Sequence, residues 1–208
     1  MPINLNNKNV DIKAAAKQAL KDKDFLAELL ENLWSKNETL RYNSHKILFH
    51  ITEEKPQVLY YKWDYFVKFL DSDNTYHKLS AVWLLANLTF ADKNNKFEKI
   101  FNKFYDLLDD KSFITAAYIC EASGKIAIAK PNLQTKITNK LLSIDKTHHI
   151  QERIDLVKAY IIEAFGQYYE QAKNKKKILE FVEEQLNCQS NKTRKKAKDF
   201  LKKITKCS

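Results

Sequence analysis

Apolar and small side chains recur along this chain at two nested periods. The shorter one is helical: from an anchor residue, further apolar or small positions fall three and seven places on, which sets them on one stripe of an α-helix. The longer period separates the anchors, Ser44, Ala81, Ala117, Ala159 and Ala197, at spacings of 37, 36, 42 and 38 residues. At the third place stand Ile47, Leu84, Cys120, Ile162 and Phe200, and at the seventh Ile51, Leu88, Gly124, Gly166 and Ile204. Five helices of one kind are therefore predicted. Ahead of each lies a second amphipathic stretch, over 25–35, 57–71, 96–109, 133–143 and 175–187. In the second of these, Val58, Tyr61, Tyr65, Phe66 and Phe69 trace the apolar pattern.

An octapeptide sharpens the repeat. Ala117-Tyr-Ile-Cys-Glu-Ala-Ser-Gly124 and Ala159-Tyr-Ile-Ile-Glu-Ala-Phe-Gly166 agree at six of eight places and hold both glycines of the chain. Short polar turns separate the helices of a pair, as in Ser35-Lys-Asn-Glu38 and Asp71-Ser-Asp-Asn-Thr75, where Asp and Ser are expected to cap the following helix through its free amides. Pro56 and Pro131 stand between pairs, where a first-turn proline costs little. The spacing of 42 is attributed to a longer link around Lys146-Thr-His-His149. The segment 10–21 reads as an extra helix covering the N-terminal edge of the stack.

Helix pairs at this period predict an all-α fold, an α-solenoid of about five antiparallel pairs, with 1–22 as tail and capping helix and 23–208 as the repeat domain. Arg41-x-x-Ser44, Lys78-x-x-Ala81 and Arg194-x-x-Ala197, each after a polar turn, resemble the second-helix motif of HEAT repeats, a family of the armadillo type. The third and fourth units depart from that motif, with Ile114 and Leu156 at the basic position. The resemblance implies helix pairs stacked into a curved slab, with the second helices lining a concave face.

Composition agrees with long helices. Two glycines and three prolines are too few for the turns of an all-β fold. No apolar run approaches the roughly 20 residues needed to cross a bilayer, and the polar N-terminus lacks the apolar stretch of a signal peptide. A cytoplasmic protein without membrane partners is expected. Cys120, Cys188 and Cys207 show no paired spacing, so neither a disulfide framework nor a zinc knuckle is indicated. The net charge of +10 is concentrated: residues 171–208 hold 12 Lys or Arg against 4 Asp or Glu.

Charge also marks candidate sites. The place after Ile47, Leu84, Cys120, Ile162 and Phe200 is Leu48, Leu85 and Leu201 in three units, but Glu121 and Glu163 in the other two. A carboxylate where its siblings carry leucine is either turned toward a groove or desolvated, and desolvation raises its pKa. The structural alternative pairs each with a cation of the next unit, Lys125 and Arg153 being available. Gly124 and Gly166 imply close helix approach, or space for a ligand over the second helices. Arg194, Lys195, Lys198 and Lys202 make the last helix a contact for an anionic partner, or a solvated cap. Tyr118 and Tyr160 read as core.

No metal-ligand spacing occurs among His45, His50, His77, His148 and His149, and no glycine-rich phosphate loop or nucleophile motif is present, so neither a metal nor another cofactor is expected. The function expected is a non-enzymatic protein-binding module or scaffold, with Arg41, His45, Lys78, Glu121, Lys125, Arg153 and Glu163 on its concave face. The alternative is a nucleic-acid-binding protein resembling the HEAT-like DNA glycosylases that excise alkylated bases, although the positive charge sits at one end. A hydrolytic or metal site built on the paired glutamates is a third reading.

Overall fold

A computed structural model describes residues 3–205, and among them every regular element is a helix. Cys207 and the last lysine, Lys206, lie outside the described residues. The contacts gather the chain into two compact units, Met1–Asn94 and Asn95–Ser208. At the boundary Asn95 takes a left-handed backbone, φ 53°, a conformation that asparagine tolerates better than most side chains.

The first unit holds α1 (Ile12–Ala19), α2 (Lys23–Asn32), α3 (Glu38–Glu54), α4 (Trp63–Lys68) and α5 (Thr75–Leu88). The expected edge helix is α1, packed on α2 and α3. Helix α3 also packs on α2 and α5, and α4 packs on α5. The stretch predicted as one helix over 57–71 is broken. Lys55 leaves the helical region at φ −142°, and Pro56 opens two 3-10 turns, Pro56–Val58 and Tyr60–Lys62, before α4 begins. The apolar face survives the break, since Leu59, Trp63, Phe66 and Phe69 are all buried.

The second unit holds α6 (Lys96–Asp106), α7 (Phe113–Ala129), α8 (Gln134–Leu142), α9 (Gln151–Tyr168), α10 (Lys175–Glu184) and α11 (Asn191–Thr205). Helix α7 packs along α9 and α9 along α11, while α8 packs on α7 and α10 on α11. Lys140 of α8 reaches Asp106 of α6 at 3.1 Å.

The repeat anchors explain this packing. Ser44, Ala81, Ala117, Ala159 and Ala197 are all buried, and their small side chains let neighbouring helices approach. Two pairs of buried hydroxyls satisfy one another: Tyr105 meets Ser123 at 3.1 Å, and Tyr168 meets Thr138 at 2.8 Å. The caps differ from expectation. Asn37 and Asn74 cap α3 and α5, accepting from Thr39, Leu40 and Tyr76, whereas Ser35 and Ser72 accept the N–H of these asparagines. The serine two places upstream thus holds the capping residue, and the asparagine holds the helix.

Candidate functional site

In the second unit, α7 and α9 carry Glu121 and Glu163 at matching repeat positions. Glu163 forms an ion pair with Lys196 of α11. The cation comes from the adjacent unit, as the structural alternative expects, but it is Lys196 rather than Lys125 or Arg153, because α11 packs on α9. Lys125 is half-buried on α7. Glu121 is half-buried and makes no hydrogen bond or ion pair with a described residue. Burial raises its pKa, the nearby Glu163 raises it further, and Lys192 opposes both.

Glu121 edges a cavity of about 490 Å³ between α7 and α9, closed at one side by the first turn of α11. Its wall is aromatic and aliphatic, with Phe113, Tyr118, Leu156 and Tyr160. Tyr118 and Tyr160 are half-buried here rather than part of the core. Two cations cover aromatic faces: the Lys192 ammonium lies 3.6 Å from the Tyr160 ring centre, and the Arg153 guanidinium 4.5 Å from that of Phe113. Arg153 is itself exposed. The pocket therefore combines apolar walls with both signs of charge.

The glycines of the octapeptide do different things. A Cβ on Gly124 would stand 2.5 Å from the amide carbon of Gln167, so the Gln167 side chain occupies that space. On Gly166 it would meet the Phe200 ring at 3.7 Å, an ordinary contact. Neither contact is with backbone: at Gly124 it is the end of a flexible side chain, and at Gly166 a ring at ordinary distance.

The first unit has a comparable cavity of about 490 Å³ on α3 and α5, lined by Arg41, Tyr42, His45 and Tyr76 among others. Tyr42 and Tyr76 are more than half exposed. The Nδ1 of His45 is buried without a hydrogen-bond partner, and burial pushes this imidazole down to about 4, so it is neutral at physiological pH. His77, by contrast, is fixed by Ser72 at 2.8 Å and by the edges of Trp34 and Phe69.

Two basic residues of the repeat motif are engaged within their own turns. Arg41 is buried, donates to the Ser35 carbonyl at 2.8 Å and lies 4.9 Å from the Tyr76 ring centre. Arg194 makes the equivalent bond in the last unit, donating to the carbonyls of Cys188 and Gln189. In both units the guanidinium reaches the carbonyl six residues back and closes the turn between paired helices. Lys78 is also buried. Lys195, Lys198 and Lys202 are exposed along α11, whose buried face is Thr193, Ala197 and Phe200.

One group of metal-ligating side chains stands out among the described residues, Asp109 with His148 and His149. Spacing along a single helix could not show it, because Asp109 and His148 are 39 residues apart. Tyr42, Tyr76, Phe113 and Lys192 were likewise missed, since their role depends on which helices become neighbours. No family model matches this chain, and no curated protein matches its sequence.

Proposed function

We propose that this chain is a HEAT-like α-solenoid that acts as a non-enzymatic binding module for a protein partner, through the faces of its second helices. The observation that carries the reading is the α7–α9 pocket. Aromatic walls, an arginine on the rim and charges of both signs are the composition of protein interfaces, which enrich Tyr, Phe and Arg. A phosphate-binding groove would instead be uniformly cationic. The aromatic, mixed-charge cavity on α3 and α5 supports the same reading independently.

Peptide phage display on the full chain tests it. Enriched peptides are expected to lose at least tenfold in affinity with Tyr160→Ala and with Glu121→Gln. Failure to enrich any sequence, or affinities indifferent to both substitutions, would overturn the assignment of this pocket.

A second reading, duplex binding along α11, is favoured only by the exposed Lys195, Lys198 and Lys202. It requires steeply salt-dependent binding of a duplex oligonucleotide that weakens when these three lysines become glutamines. Absence of duplex binding at low salt removes it.

A further inference from the structure

Away from both pockets, the link between α8 and α9 carries the consecutive residues His148 and His149. This is the link that lengthens the repeat to 42 residues, and its extra chain docks on the end of α6. His148 places its backbone N–H at 2.7 Å and its ring Nδ1 at 2.6 Å from the Asp109 carboxylate. His149 places Nε2 at 3.1 Å from the Leu108 carbonyl. The two rings lie side by side, with centres 4.4 Å apart. One candidate ligand atom from each of the three side chains lies within 4.8 Å of the others.

We propose that Asp109, His148 and His149 form a binding site for a divalent transition-metal ion, with zinc as the ion it takes. Two imidazoles and one carboxylate are a donor set suited to zinc, copper or nickel and poorly suited to magnesium or calcium. Donation from His149 Nε2–H to the Leu108 carbonyl fixes the tautomer that leaves Nδ1 with a lone pair. Histidine ligands are oriented by bonds of this kind through their other nitrogen. Leu108 and Asp109 belong to the 3-10 turn Leu107–Asp109 that ends α6, where outward carbonyls add negative potential. Zinc bonds of about 2.0–2.2 Å would part His148 Nδ1 and Asp109 from their present separation, and the cation would take the place of the proton they share. Both side chains are about half exposed, so the rotation disturbs no buried packing. Three protein ligands leave a coordination position open to solvent. The link between α8 and α9 would be clasped to α6 by the metal.

Titration calorimetry of the full chain with zinc chloride tests this site. Saturable one-to-one binding is expected, weakened at least tenfold by His148→Ala, by His149→Ala and by Asp109→Asn, with magnesium giving no binding. His50→Ala, a histidine outside the cluster, should leave the affinity unchanged. Cobalt substitution gives a second readout on the unaltered chain, an intense visible d–d band of low coordination number. No saturable zinc binding, an affinity indifferent to the double substitution of His148 and His149, or a cobalt spectrum identical to that of the free hydrated ion would each overturn the proposal.

Discussion

Glu121 and Glu163 share a repeat position yet meet different fates, and the difference lies in their neighbours. Glu163 is neutralised by Lys196, whereas Glu121 keeps a half-desolvated carboxylate beside another negative charge. Its folded-state pKa is raised, so the unfolded chain ionises first as pH increases. Stability from this group is complete below the ordinary value of 4.5 and is lost as pH rises through the raised value. Glu121→Gln should therefore leave stability unchanged under acidic conditions and increase it near neutrality. Glu121→Leu, the residue type at Leu48 and Leu85, should add about 1 kcal/mol at neutral pH through apolar burial. Thermal melts of both variants across this range check the sign; a gain that is equally large in acid would show that the charge is not its source. The anomaly of a glutamate among leucines was visible in the sequence. Its consequence was not, because the ion pair with Lys196 depends on which cation α11 presents to α9.

At the scale of elements, the helices were legible because their signals are local. The amphipathic stretches predicted α2, α6, α8 and α10 within a few residues, the anchor stripes fall inside α3, α5, α7, α9 and α11, and the N-terminal stretch 10–21 contains α1. The broken stretch before α4 was not foreseen, since a continuous apolar pattern does not distinguish an α-helix from 3-10 turns that bury the same face. The basic residue of the repeat motif illustrates the same limit. Its recurrence was evident, but its bond to a carbonyl six residues back appears only when the turn is folded. Arg41 and Arg194 thus clamp their own turns. Arg41→Ala should lower unfolding stability by about 1–3 kcal/mol, the range for losing a buried charge-assisted hydrogen bond. Arg41→Lys should recover little of it, because an ammonium lacks the guanidinium's fork of donors beside the Tyr76 ring. Urea denaturation of the two variants decides the point; full recovery by lysine would assign the residue a purely electrostatic role.

For the whole molecule, the contacts gather the helices into two compact units. A period read along the chain counts helix pairs and says nothing about where packing is densest. Each unit has its own buried interior. Leu29, Ile47, Trp63, Phe66, Phe69 and Leu84 are buried in the first, and Phe97, Phe104, Tyr105, Ile119, Phe165 and Val182 in the second. Spans of this length exceed the size, about 40 residues, below which domains usually need metals, disulfides or partners to fold. In helical repeats, moreover, stability is roughly a sum over units and their nearest neighbours, so it does not require the full array. The segments Met1–Asn94 and Asn95–Ser208, expressed separately, should each keep helical circular dichroism and a cooperative melt. Within the second segment, the Lys196–Glu163 pair and the α7–α9 pocket involve only its own helices, so peptides selected on the full chain through that pocket should still bind it. A segment that is unfolded alone but recovers helicity on mixing with the other would show that its core is completed by the neighbouring unit.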